Sequence, residues 1–212
     1  MAQLKEIKIV KGKILVETGL HIGANAKGVG IGELDNPVLK DVRTGFPYIP
    51  GSSLKGKLRS LLELEYGISS NDKSKPCSCG KCPVCKVFGT TAKESNEITR
   101  VLFRDAFLSE ESKKELYDKN LSATEEKTEN MINRLGGHAE SPRTMERVIP
   151  GLTFDFEIAI RVFDNDNDVA IDLLKKGLLM LQKDALGGNV SRGYGKIRFE
   201  NININGQPLK LG

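Results

Sequence analysis

Four cysteines, Cys77, Cys79, Cys82 and Cys85, fall within nine residues in the run PCSCGKCPVCK, with proline and glycine between them to turn the chain. Thiolates gathered this densely, in a chain with no secretory segment, point to a metal rather than to disulfides, and tetrahedral zinc is the default ion. An iron–sulfur cluster is the minor alternative. One residue separates Cys77 from Cys79, which makes wrapping tight, so His138 or His21 is a candidate replacement for one sulfur. A closed four-ligand site leaves no position for a substrate, and the expected role is structural.

Two other segments resemble ligand loops and stop short of them. GSSLKGKL, residues 51–58, misses a phosphate-binding nucleotide loop because Leu58 stands where Ser or Thr must hold magnesium. A nucleotide hydrolase is therefore disfavoured. What remains is a helix start with free N–H groups, Ser52 and Ser53 beside it, and Lys55, Lys57 and Arg59 following, which suits phosphate of any origin. An ordinary capped helix with solvated lysines explains this segment equally well. DNDND, residues 164–168, suggests a calcium loop but lacks the sixth-position glycine and has Lys175 in place of the bidentate Glu. It reads as a polar loop capping the next helix.

SRGYGKIRF, residues 191–199, approaches the base-stacking strand of an RNA-recognition motif. Lys196 stands where that motif needs an aromatic face, and too little chain follows to supply the remaining helix and strand. The segment is not a base-stacking strand.

Charge is distributed unevenly over the 212 residues. Residues 1–60 carry ten Lys/Arg against five Asp/Glu, residues 186–198 three against none, and the acidic excess lies between them. Two basic regions flanking an acidic middle fit a phosphate-binding groove, although a solvated basic face explains charge counts alone. No apolar run approaches the roughly 18 residues of a membrane span, so a soluble cytoplasmic protein with no membrane partner is expected.

The elements that must position these residues follow from periodicity. Alternation over 4–18 predicts a strand or hairpin. Leu54, Leu58, Leu61 and Leu62 predict a helix capped by serine. TRVLFRDAFL (99–108) and LTFDFEIAIRVF (152–163) read as strands, the latter with Phe154, Phe156, Ile158 and Ile160 on one face. Leu174, Leu178, Leu181 and Ala185 mark a second helix, and 194–204 the last strand. The order βαββαβ predicts an α+β, ferredoxin-like core, related to the RNA-recognition-motif fold, with long insertions at 19–50, 67–97 and 109–150.

Six segments, HIG (21–23), GELDNPV (32–38), YIPGSSLKGKLR (48–59), CPVCKVFG (82–89), LFRDAFL (102–108) and LGGNVSRGYGKI (186–197), fall in order. Together they resemble the backbone subunit of type III-A CRISPR effector (Csm) complexes in the RAMP superfamily. The resemblance implies a single RAMP domain over 1–212, with a zinc knuckle at 67–97 and a thumb-like insertion at 109–150. It implies a protein that polymerises along a guide CRISPR RNA, contacts sibling Csm subunits, and splays target RNA with the thumb so that it is cut at regular intervals. Guide contacts carry over to His21, Ser52, Ser53, Lys55, Lys57, Arg59, Gly187, Gly188, Ser191, Arg192 and Gly193. Thumb contacts carry over to Lys127, Asn130, Arg134, Arg143 and Arg147.

The same resemblance places the cleaving aspartate on Asp35, at the end of a loop containing Gly19, Gly23, Gly28, Gly30 and Gly32. From the sequence alone, Asp35 before Asn36-Pro37 reads as a turn residue. Magnesium or another divalent cation is expected to assist it, since a carboxylate is a weak base at its ordinary pKa. The rival readings are a guide-holding scaffold that does not cut, and a stand-alone nuclease processing the guide precursor. The first is disfavoured by the loop aspartate, and the second has only His21 and His138 to work with.

Overall fold

The computed structural model describes residues 3–24, 36–68, 75–90, 98–164, 166 and 168–211. In chain order these form β1 (Leu4–Val16), β2 (Tyr48–Ile49), α1 (Gly51–Glu65), α2 (Pro83–Phe88), β3 (Val101–Phe103), β4 (Ala106–Leu108), α3 (Glu110–Lys119), β5 (Thr124–Ile132), β6 (Ala139–Val148), β7 (Thr153–Phe163), α4 (Val169–Lys183), β8 (Ile197–Ile204) and β9 (Gln207–Pro208). Seven strands make one antiparallel sheet in the order β2-β4-β7-β1-β8-β9, with β3 also on β7, while β5 and β6 form a separate two-stranded sheet. Taken as β8, β1, β7 and β3/β4, the central strands run fourth, first, third, second in chain order. That is the split βαβ arrangement expected from the sequence.

Alternation explains the sheet face. Val10, Ile14, Phe154, Phe156, Ile158, Ile160, Ile197 and Phe199 form one core with Leu54, Leu58, Leu61 and Leu62 of α1 and Leu173, Leu174, Leu178 and Leu181 of α4. Burying each such side chain contributes about 1.5–3 kcal/mol, which outweighs the weak propensity of any single position.

Several boundaries differ from the sequence reading. Residues 4–16 are a single strand, not a hairpin, held along its length by β7. The strand expected over 99–108 is broken between β3 and β4, because Asp105 turns aside and its Oδ1 accepts the Gly51 N–H at 2.8 Å. The predicted serine cap is therefore replaced: the N-cap of α1 is Pro50, and Ser52 and Ser53 fall inside the first turn. Asp168, the N-cap of α4, makes no side-chain capping bond, while Asn165 and Asn167 of the polar run lie outside the described residues. Asp166 instead accepts from Arg100 Nε at 3.0 Å and from the Phe163 N–H at 3.1 Å. A one-turn 3-10 segment, Val190–Arg192, delays the last strand to Ile197.

The segment 109–150 holds α3 and the β5–β6 hairpin. Ser109 caps α3 by accepting the Ser112 N–H, and the Ser109 and Thr153 hydroxyls lie 2.6 Å apart, which seats the helix on β7. The hairpin meets the main body through the isolated bridge Leu20↔Val148, and its base is closed by the bond from Ile149 N–H to the Ala123 carbonyl.

Candidate nucleic-acid interface and metal centre

The glycine-rich segment before β8 folds against the chain that leaves β1. Leu186 N–H donates to Gly195 O, Gly195 N–H to Gly19 O, and Gly188 N–H to His21 O. Gly195 has φ +78, and a Cβ there would stand 2.0 Å from the Leu186 carbonyl, so only glycine permits the turn. The tight path leaves Gly187, Gly188, Ser191, Arg192 and Gly193 exposed, while Tyr194 is 1% exposed. A tyrosine so buried cannot stack on a base, in keeping with the reading that this is no RNA-recognition strand.

His21 lies under this loop, 8% exposed, with Nδ1 2.7 Å from the Glu146 carbonyl. A carbonyl only accepts, so Nδ1 carries the proton and Nε2 is the atom left for a ligand. The hairpin base supplies cations beside the loop. Lys127 Nζ lies 4.8 Å and Arg147 Cζ 5.0 Å from the Tyr194 ring centroid, and Arg147 also pairs with Glu125 at 2.8 Å. Arg192 Nη1 donates to Glu129 Oε2 at 2.8 Å, joining the loop to β5. Asn130, Arg134 and Arg143 are exposed further along the hairpin, whose turn also presents Leu135 fully to solvent.

On α1, the expected contacts divide. Ser52 is exposed, Ser53 and Lys55 are half-buried, and Lys57 pairs with Asp184 at 2.7 Å, just ahead of the glycine-rich loop. Burial, and then the nearby Arg59, lower the Lys55 pKa. The helix start is not a bare set of donors, since Asp105 already holds the Gly51 N–H. Arg59 faces the cysteine segment: Nε meets Glu63 Oε1 at 2.7 Å, Nη1 the Gly89 carbonyl at 2.9 Å, and Nη2 the Cys77 carbonyl. Glu63 Oε1 also accepts the Cys77 N–H at 3.1 Å. The Arg59–Glu63 spacing of four was the only trace of this clamp in the sequence.

The Sγ atoms of Cys77, Cys79, Cys82 and Cys85 all lie within 4.8 Å of one another, with Cys79 and Cys85 3.9 Å apart. Tetrahedral zinc at about 2.3 Å from each sulfur requires separations of about 3.8 Å, so the cluster fits a metal of that kind. Lys81 and Cys82 N–H groups point at the Cys79 sulfur, and the Cys85 N–H at that of Cys82. The Cys82 and Lys81 amides draw the Cys79 thiol down to about 6, whereas burial pushes Cys82 up to about 12. Both candidate substitutes lie outside the group, since His21 binds Glu146 and His138 Nε2 lies 2.9 Å from Glu140 at the hairpin turn. Phe88, at the end of α2, stacks on Phe103 with centroids 6.1 Å apart, fastening the knuckle to the sheet.

Asp35 lies outside the described residues, but both feet of its loop are visible. Gly23 bridges Val38, Ala24 N–H donates to Pro37 O, and Glu146 N–H to Asn36 O. Glu146, on the hairpin base, holds the second foot by accepting the Val38 N–H at 2.9 Å and Lys40 Nζ at 2.5 Å. The loop therefore springs from beside the hairpin base.

The fold and its hairpin and knuckle define a class. A sequence model of the RAMP superfamily matches residues 13–198, and the chain belongs to that superfamily, within the Csm3 family whose members it resembles over most of its length. It is 43% identical to the CRISPR system Cms endoribonuclease Csm3 of Methanothermobacter thermautotrophicus, covering 95% of this chain and 87% of that protein. It is also 43% identical to the Streptococcus thermophilus protein of the same name, covering 90% and 86%. The CRISPR system Cmr endoribonuclease Cmr4 of Pyrococcus furiosus is 30% identical over 80% of this chain and 52% of its own. A chain in the cryo-EM structure of the type III-B Cmr-beta bound to cognate target RNA shares the fold at 20% identity, with a TM-score of 0.62 over 98% of this chain and 62% of that one. No helix among the described residues is long and apolar enough to cross a membrane.

Proposed function

We propose that the protein is a guide-RNA-binding backbone subunit of a type III-A CRISPR (Csm) interference complex and an endoribonuclease that cuts target RNA. One observation carries the reading: the exposed glycine-rich loop, Arg192, and the hairpin-base cations Lys127 and Arg147 converge where the Asp35 loop emerges. Backbone amides and cations hold phosphates without reading bases, which leaves sequence choice to pairing with the guide. Copies of the chain side by side along a guide would present hairpins at a regular spacing. Each hairpin would displace a target nucleotide, and the freed 2′-hydroxyl can then rotate in line with the neighbouring phosphate, an alignment that A-form stacking prevents.

In this scheme Asp35 takes the 2′-hydroxyl proton or holds a divalent cation such as magnesium. The four cysteines hold structural zinc that fixes the knuckle against α1. The test uses complexes assembled with the sibling subunits. Asp35→Asn should leave target binding intact and abolish cutting, and a 2′-deoxy substitution at a displaced nucleotide should block only the adjacent cut. Full-rate cutting by Asp35→Asn would assign cleavage to another subunit and leave this chain a scaffold.

A further inference from the structure

Tyr194 and Glu129 form a pair of groups that RNA binding has not yet used. Among the described residues, the Tyr194 hydroxyl and Glu129 Oε1 are the buried side-chain polar atoms without a well-aligned hydrogen bond, although Lys127 Nζ ion-pairs with Oε1. Around them stand three cationic side chains: Arg192 on the loop, 2.8 Å from Glu129 Oε2, Lys127 on β5, 3.3 Å from Glu129 Oε1, and Arg147 on β6, lying over the tyrosine ring. The Glu129 side chain is 14% exposed, while Arg192 remains 53% exposed. One face of the site thus opens to solvent on the side where the glycine-rich loop presents its backbone. A buried hydroxyl without a well-made bond is costly, so Tyr194 is a donor held ready for an oxygen-rich anion that takes the place of the Glu129 carboxylate.

We propose that Glu129 is an in-chain stand-in for an RNA phosphate, occupying an anion site built from Arg192, Lys127 and Tyr194 until a guide phosphodiester displaces it. The inference rests on the reading of this loop as a guide-binding surface. A phosphodiester offers the same pair of anionic oxygens as a carboxylate, and Arg192 and Lys127 are the groups that would exchange one for the other. The position of Glu129 gives the exchange a structural effect. The β5–β6 register shifts between Glu129 and Met131, so the regular ladder is interrupted just beyond this residue. While Glu129 grips Arg192, this interrupted stretch of β5 is tied to the loop; once RNA takes Arg192, the outer hairpin is released from it. Guide loading and hairpin position are coupled through one ion pair.

The test is binding of a mixed-sequence single-stranded RNA to the full chain across a salt series. Removing the competitor with Glu129→Gln should tighten binding about fivefold, the worth of a partly exposed ion pair. It should also steepen the salt slope by about one, because the wild-type carboxylate takes up a cation when released. Glu126→Gln, an exposed change of equal charge on the same strand, should do neither. Unchanged or weaker binding by Glu129→Gln, or equal tightening by Glu126→Gln, overturns the stand-in. If Glu129→Gln melts early, Glu129→Asp replaces it, with smaller tightening expected and unchanged affinity again decisive against the idea. Arg192→Ala and Lys127→Ala separate the two levels. If neither weakens binding, the guide-binding reading of the loop falls; if both do and Glu129→Gln changes nothing, only the stand-in falls.

Discussion

The guanidinium of Arg59 donates to the backbone carbonyl of Cys77, so a cation expected on the RNA-facing side of α1 instead secures the cysteine knuckle. Its remaining donors reach Glu63 and Gly89. Lys55, one helical turn earlier, makes no such commitment to the knuckle. Arg59→Ala should therefore cost about 2 kcal/mol of stability, the scale of charge-assisted bonds lost among half-buried partners. Lys55→Ala should leave thermal unfolding unchanged and weaken RNA binding at every sequence with a shallower salt slope. Equal effects of the two variants on melting would contradict this division.

Metal content gives a second measurement. The purified chain should carry about one zinc, and Cys85→Ser should lose it, because a tetrahedral site missing one thiolate binds far more weakly. Removal by chelator should loosen Phe88 from Phe103 and lower the melting temperature. Iron in place of zinc, or no metal at all, rules out the structural zinc site.

The buried carboxylate of Glu146, 5% exposed, sets a pH dependence. Burial pushes its pKa up, but the Lys40 ammonium, the Thr124 hydroxyl and the Val38 N–H hold it below the usual carboxylate value. A depressed folded-state pKa gives stability that is present above the ordinary value of about 4.3 and lost as pH falls below it. Glu146→Gln should cost about 2 kcal/mol at neutral pH and flatten the acid limb of the stability curve. An acid limb identical to wild type would show that other carboxylates set it.

Gly195→Ala tests the loop itself. The added Cβ would meet the Leu186 carbonyl in a left-handed conformation, at a cost of about 2 kcal/mol or more. RNA affinity should drop although no charge changes, because the exposed amides of 187–193 lose their arrangement. Wild-type affinity in a folded Gly195→Ala protein would detach the loop geometry from binding.

The sheet and its two helices were legible because Phe154, Phe156, Ile158 and Ile160, and the leucines of α1, repeat at the spacing that burial enforces. The break at Arg104-Asp105 was not, since a strand pattern carries no sign that one carboxylate will leave it to hold a distant amide. The four-cysteine cluster could be read from spacing alone, while the direction of Arg59 depended on where the fold sets the knuckle. Tyr194 stands out in the sequence for its place in a glycine-rich run, but its burial between two cations needs Lys127 and Arg147 of the hairpin base, far earlier in the chain.

The hairpin's attachment has a consequence for the order in which the molecule comes apart. Its two strands share hydrogen bonds with each other and reach the body at their base, through Leu20↔Val148 and the Glu146 bonds to Asn36 and Val38, so the outer hairpin forms a cooperative unit separable from the core. Amides of β5 and β6 near Asn130 and Arg143 should exchange with solvent at a lower free energy than those of β1 and β7. Protection should rise toward Val148, where the unit joins the body, so that RNA held along the hairpin would be registered as slower local opening without any change in global stability.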